Sequence, residues 1–537
     1  MAPEKNTTAG PEDATSDNGS IEHQRGNFQS FYLEGWRLQV LTLAMCLGLF
    51  LASLESTIVS TSLISISNSL HGFQRSSWIV ASYLLSYTGF LLIIAKLSDV
   101  FGRKSMMVFC LCLFIAFSIG CGFAQTMTQL IVLRAFQGIG GGGISTLTFV
   151  ILPENVSPAQ YPMYAAIVSA TLALSSLLGP IIGGAICDNT TWRWVFLLNG
   201  PAGAVALVLL LISLPGNPPS SESLVQKLRK VDYLGTFLVL SSTVLFVTAL
   251  EQGGTGHSWK SKLVLALLVT SIMLFFVCLT WSWNLHHRGN PQEPMVAWNL
   301  LTDRFCLGLF LNSFFMGSVF LSAIIILPQQ FQVVFQDSPA KAGYRLLCVT
   351  LVSPLFTGIA GYLTQKQKVP PLYILIVAQA LAVLGCGLAS SLPESSREYP
   401  ASGYGYQVIM GAGFGLGLST AIMAAPQAFN KKYMAVGMGT INQMRALGMS
   451  IGVSICANIL SKTLSSAVAD QLLPNQFRAV LGSAEAINSI SPELQNQVRH
   501  AFAVGFTRQM QAICGLAGAG LLSTLIMIEK KPRFLQA

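Results

Sequence analysis

The chain opens on roughly 30 polar residues, rich in Asn, Ser, Thr, Glu and Asp, and then becomes a succession of long apolar runs. These lie at approximately 38–66, 77–96, 104–123, 129–151, 162–186, 194–214, 233–250, 262–283, 305–327, 340–362, 371–390, 404–426, 433–460 and 510–528. Each of the fourteen is long enough to cross a bilayer, which takes about 20 apolar residues as a helix. None alternates as a membrane β-strand does. In hydrocarbon the backbone polar groups must be satisfied within the segment, as they are in a helix. The pattern predicts an all-α membrane protein. The polar opening lacks the apolar stretch of a signal peptide, so it reads as a disordered tail and the first run as a retained anchor.

The longest polar stretch between runs, about 461–509, carries Leu494, Val498, Ala501 and Phe502 at helical spacing. Two readings fit: an amphipathic segment lying on the membrane surface and running into the last span, or a simple connecting helix.

Composition agrees with the pattern. The 537 residues are 52% hydrophobic and 10% charged, against about 25% charged in an ordinary soluble domain. The net charge of +9 comes from cations scattered through short segments, with no basic domain or aromatic-interleaved patch, which excludes a nucleic-acid partner. Of the eleven cysteines, Cys110, Cys112, Cys121, Cys278, Cys306, Cys386, Cys456 and Cys514 lie inside apolar runs without metal-like spacing and read as small buried hydrophobes. The six histidines (23, 71, 257, 286, 287 and 500) read as tail or loop residues, and no metal, cofactor or nucleotide motif is present.

Charge also gives an orientation. With the N-terminus cytoplasmic, the inner segments hold Arg103, Lys104, Lys227, Arg229, Lys230, Arg288, Arg304, Lys366, Lys368, Lys431, Lys432, Lys530, Lys531 and Arg533. The outer ones hold Arg75, Arg193, Lys260, Lys262, Lys341 and Arg397. The bias has the sign of positive-inside insertion and leaves both termini cytoplasmic.

Several segments carry chemistry. Between the second and third runs stands Ala95-Lys-Leu-Ser-Asp-Val-Phe-Gly-Arg-Lys104, where Gly102 permits a tight turn and Asp99 can accept from Arg103. In the fourth run Arg134, Gln137, Gly138 and Gly141 share a helical face. An arginine in a membrane helix is costly and should face the bundle interior or a water-filled cavity. Glu55 is the acidic residue placed well inside a run. Burial favours its protonated form and a nearby arginine its ionised form, so it is suited to load and release protons. A permanent Glu55–Arg134 pair joining two helices is the alternative. In the fifth run Ser175, Gly179 and Gly183 form a small-residue ridge with Pro180 and Gly184 beside it. After it comes Trp192-Arg-Trp-Val-Phe-Leu-Leu-Asn-Gly-Pro-Ala-Gly203, suited to a headgroup boundary.

These segments resemble those of the major facilitator superfamily, in particular its fourteen-span drug:proton antiporters. The 95–104 stretch is similar to the G-x-L-A-D-R-x-G-R-K signature, departing at Ala95 and Val100. Leu54-Glu-Ser-Thr-Ile-Val resembles L-D-x-T-I-V with Glu for Asp, and Arg134–Gly138 resembles R-x-x-Q-G. Ser175–Gly184 is similar to the antiporter motif G-x-x-x-G-P-x-x-G-G, and Trp192–Gly203 to W-R-W-x-F-x-x-N-x-P-x-G. In the second half, Leu327–Phe335 with Gln332, and Ala342–Leu347 with Arg345, resemble L-P-x-x-F-Q-x-V and A-G-x-R-L-L. Gly361–Lys366 looks like a worn copy of the first signature, with Gln365 where Asp99 stands, and Arg445 lies in the penultimate run.

The resemblance covers almost all of residues 35–530 and is nearest to fungal members, many of which export toxins or secondary metabolites. It implies a major facilitator fold of two six-helix bundles plus two inserted helices. The expected layout is a cytoplasmic tail 1–35, a first bundle 36–214, inserted helices with linkers 215–304, a second bundle 305–528 including the loop 461–509, and a cytoplasmic tail 529–537. It further implies a non-enzymatic, cofactor-free, proton-coupled efflux antiporter for small amphipathic organic molecules. Glu55 and Arg134 would couple protons; Asp99, Gly102, Arg103 and Lys104 would form a cytoplasmic gate; Gly179, Pro180, Gly183 and Gly184 would be the antiporter motif. Trp192, Arg193, Trp194, Asn199 and Pro201 would mark the sixth helix, with Gln332, Arg345 and Arg445 as second-half candidates. Its partners would be substrate, protons and lipid, and it would be monomeric. The plasma membrane is the expected location, with a vacuolar or vesicle membrane as the alternative. An uptake symporter or facilitator on the same fold, or a transporter-like sensor, are the rival readings.

Overall fold

A computed structural model describes residues 33–70, 77–157, 160–216, 232–255, 259–288, 298–337, 339–393, 398–429, 434–468, 492–529 and 533. Fourteen helices among them are long and apolar enough to cross a membrane. They are α1 (Trp36–Ser69), α2 (Ser77–Phe101), α3 (Arg103–Gly122), α4 (Met127–Asn155) and α5 (Tyr161–Asn189). The span α6 (Arg193–Ser213) comprises Arg193–Leu197 and Asn199–Ser213, joined through Leu198. Then come α7 (Tyr233–Thr255), α8 (Lys262–Arg288), α9 (Arg304–Val333), α10 (Pro339–Gln365), α11 (Pro371–Ala389), α12 (Ala401–Met423), α13 (Met434–Val468) and α14 (Pro492–Ile526). No strand occurs among the described residues. The face bearing the α2–α3 turn is called proximal below, and the opposite one distal.

Lipid tails are as apolar as leucine, so helices in a membrane associate by close packing rather than by hydrophobic collapse. The α4 sequence shows how. A Cβ added at Gly142 would come within 2.5 Å of the Tyr87 carbonyl of α2, and one at Gly140 within 2.7 Å of the Phe114 amide of α3. The run of glycines lets α4 lie almost backbone to backbone between its neighbours. Gly452 does the same for α13 against α9, 2.5 Å from the Ser318 carbonyl.

Helices α1–α6 pack among themselves, as do α9–α14. The two bundles meet along two seams, α2 and α4 against α13, and α5 against α10 and α12. On the proximal side one apolar cluster crosses the divide, joining Phe149, Leu152 and Tyr161 to Ile422, Phe429 and Met438, and the Tyr161 hydroxyl donates to the Ile422 carbonyl at 2.8 Å. On the distal side a Cβ at Gly343 of α10 would lie 3.5 Å from Ile181 of α5. Helix α7 covers the α2–α13 seam, with Gln443 donating to Thr243 at 3.1 Å. Helix α8 packs on α7 and turns Met273 and Phe276 outward at the perimeter.

Two expectations change. The stretch around 494–502 does not lie on the surface: it is the first part of α14, and Val498, Ala501 and Phe502 are buried. The extended ends of α13 and α14 pair, with Gln509 donating to the Cys456 carbonyl at 2.7 Å and Arg508 to Thr463 at 3.3 Å. Helix pairing buries those apolar positions without lipid. Residues 461–468 therefore belong to α13 and 492–509 to α14, not to a loop. Likewise His286 and His287 close α8, and His500 lies on α14. All eleven cysteines are free; Cys112 is exposed and Cys514 half-buried rather than buried. Calls on residues 1–32, His71, Arg75, Lys227, Arg229, Lys230, His257, Arg397, Lys431, Lys432, the stretch 469–491, Lys530 and Lys531 fall outside the described residues.

Candidate functional site

Glu55 sits within α1 with no solvent exposure. Both its oxygens are engaged: Oε1 accepts from Arg134 Nη1 at 2.6 Å and Oε2 from Asn199 Nδ2 at 2.6 Å. Arg134, equally buried on α4, also donates from Nε to the Ile79 carbonyl at 3.1 Å and from Nη1 to Gln137 Oε1 at 2.8 Å. Its Nη2 has no acceptor. The guanidinium instead lies over the Tyr83 ring at 4.3 Å, with the Phe196 ring at 5.6 Å. Gln137 Nε2 passes the chain on to Ser118 Oγ at 2.6 Å. Five helices thus converge on one carboxylate.

A buried ion pair of this kind is tolerated because most of its hydrogen-bonding capacity is met. Removing either partner would strand a charge. Protonating Glu55 likewise leaves the Arg134 cation without its counter-charge, but keeps the carboxyl group and its hydrogen-bonding neighbours in place. The arrangement is chemically able to hold or release one proton. The small-residue face of α5 lies alongside: Gly179 is packed so tightly on Thr57 that a Cβ there would collide with it. Ser175 is buried on the same face, and its carbonyl lies 3.4 Å from Thr57 Oγ1. Helix α5 runs through Pro180, Gly183 and Gly184 without interruption, and Gly184 has open space beside it.

At the proximal face Gly102 turns the chain from α2 into α3 at φ 92°, in the region that favours glycine. Arg103 then bridges Asp99 at 2.6 Å and Glu154 at 2.7 Å, and bonds Ser98 as well. Glu154 closes α4 behind Pro153; its position after a proline at a helix end gave no signal in the sequence. Lys104 donates to the Leu211 and Leu214 carbonyls, at 3.0 and 2.5 Å, where cations suit a helix C-terminus. At the distal face Arg193 lies over Trp192 and donates to the Gly122 and Ala124 carbonyls at 2.8 and 2.9 Å, fastening α6 to the end of α3. Trp192 is buried and Trp194 exposed. Pro201 is in the second piece of α6.

In the second bundle Arg345 pairs with buried Asp337 at 2.8 Å, amid the rings of Phe331, Phe335 and Tyr399. Asp337 was not foreseen, because it stands in the short link between α9 and α10. The Gln332 side chain lies outside the described residues. Arg445 is buried on α13, with the Phe149 ring of α4 at 5.1 Å.

Comparison with known proteins places these features. The model of the Major Facilitator Superfamily matches residues 45–453. The MFS-type transporter FPY5 of Fusarium mangiferae is 44% identical over 94% of this chain and 86% of its own length. The MFS-type efflux pump LUC4 of a Fusarium species is 30% identical over 86% of this chain and 80% of its own. The crystal structure of the human organic anion transporter MFSD10 superposes with a TM-score of 0.59 at 14% identity, covering 92% of this chain and all of that one, a likeness of fold alone. The chain belongs to the Major Facilitator Superfamily. It is an integral membrane transporter of small molecules and not an enzyme.

Proposed function

We propose that the chain is a proton-coupled antiporter that exports small amphipathic organic molecules. The observation that carries this is the carboxylate of Glu55, sealed from solvent between Arg134 and Asn199. Protonation of Glu55 and occupancy by substrate exclude one another, so protons running inward drive cargo outward. The bundles rock about their two seams to expose a central site to each side in turn. Asp99, Arg103 and Glu154 latch the proximal face, which is cytoplasmic by the charge bias, as are both termini. The antiporter motif of α5 and the efflux-pump name of a relative support export. The plasma membrane is the proposed location and a single chain the working unit.

The test is Glu55→Gln in proteoliposomes, assayed by pH-gradient-driven transport and by counter-flow without a gradient. Counter-flow should persist while the gradient loses its pull. Full gradient-driven transport in the variant would end the proposal. Gradients imposed with either sign separate export from uptake symport.

A further inference from the structure

Two arginines are buried among the described residues, Arg134 and Arg445. Arg134 has a carboxylate 2.6 Å away. No carboxylate pairs with Arg445 among the described residues. It stands nine residues beyond Val436, where the α13 span begins, or about 13 Å along a helix, close to the middle of a hydrocarbon layer of about 30 Å. Its Nη2 donates to Asn442 Oδ1 one turn earlier. Its Nε has no acceptor.

A lone cation at that depth is costly. The Phe149 ring at 5.1 Å attracts it, yet a cation–π contact offsets only part of the cost of burying an ion. The chain therefore leaves a positive charge short of an anion, and does so at a particular place. Phe149 belongs to α4 of the first bundle and Arg445 to α13 of the second, so the charge stands on the seam. The same seam is polar: Asn442 reaches Thr146 across it at 3.5 Å, and Tyr87 donates to Ser145 at 2.8 Å. A guanidinium with a free donor and no paired carboxylate matches a molecule that carries one acidic group.

We propose that Arg445 binds the ionised group of an amphipathic organic anion, a carboxylate or acidic enol, between α2, α4 and α13. This rests on the reading of the chain as a small-molecule exporter and names its cargo class. The bound anion completes the charge that the protein leaves open.

The experiment uses the purified full-length chain with no pH gradient and three probes on one scaffold: pyrenebutyrate, its methyl ester and pyrenebutylamine. Binding is read by thermal stabilisation and by tryptophan-to-pyrene energy transfer. The carboxylate should bind at least tenfold more tightly than the ester or the amine. Arg445→Gln should weaken the carboxylate by about 30-fold or more and leave the ester unchanged. Should the Gln variant fail to fold, Arg445→Lys keeps the charge without the fork and must weaken the carboxylate several-fold. Absent carboxylate binding, equal binding of the three probes, or an undiminished preference in either variant overturns the proposal. Because no gradient is applied, loss of the Glu55 coupling hypothesis would leave this result standing, and the reverse also holds.

Discussion

At the scale of single residues, what the sequence reveals depends on whether a charge is out of place. Glu55 and Arg134 stand out because each interrupts an apolar run, and the structure joins them at 2.6 Å. Asn199 stands 144 residues from Glu55, and no local pattern can announce that hydrogen bond. Replacing it with leucine removes a donor from a buried carboxylate, a loss of about 1.5–3 kcal/mol for a charged bond. Asn199→Leu should therefore lower the thermal stability of the purified protein more than an exposed substitution does, and slow gradient-driven transport. Gly102 offers a cleaner case. At φ 92° and ψ 147° an alanine is strained by about 1–3 kcal/mol, so Gly102→Ala should lower the unfolding temperature while leaving the protein folded. A circular-dichroism melt reads both. The Arg103 bridges to Asp99 and Glu154 are partly exposed, so Glu154→Gln should slow transport several-fold without a large change in stability.

At the scale of elements, fourteen apolar runs became fourteen helices because composition alone decides what can sit in hydrocarbon. Their ends were less legible. The α13–α14 pair continues past its apolar stretches because each helix covers the other's side, a tertiary effect that a hydropathy window misses. Packing at α4 makes a sharp prediction. Gly142→Val drives a side chain into the Tyr87 carbonyl, and overpacking of this kind costs about 1–3 kcal/mol. Gly518→Ala on α14, where nothing lies within 4 Å, should be neutral or slightly stabilising. Thermal shifts of the two variants measured side by side should differ in size, with only the first large.

At the scale of the whole molecule, the family was legible from motifs, whereas the contacts between bundles were not. Nothing in residues 233–255 says that α7 would lie across the α2–α13 seam. The seams themselves can be tested. A disulfide between Ile181→Cys on α5 and Gly343→Cys on α10, which approach at the distal face, should stop transport and release it on reduction. Unimpeded transport in the oxidised protein would rule out opening there. The proposed roles of Glu55 and Arg445 together set an expected charge movement. Under the proposed exchange, one anion leaving as one proton enters would carry two positive equivalents inward, each worth about 2.3 kcal/mol per 100 mV. An inside-negative potential set with potassium and valinomycin should therefore accelerate pyrenebutyrate export.

The paired ends of α13 and α14 also act as a lever. Each helix has 35 residues, about 52 Å at 1.5 Å per residue, against roughly 30 Å of hydrocarbon. With α13 starting at the proximal face, its far end stands some 20 Å clear of the bilayer on the distal side. Any tilt of the second bundle is magnified there, roughly twofold over the movement at the membrane surface. A fluorophore at that tip would report each turnover optically, from outside the membrane and without touching the cargo's path.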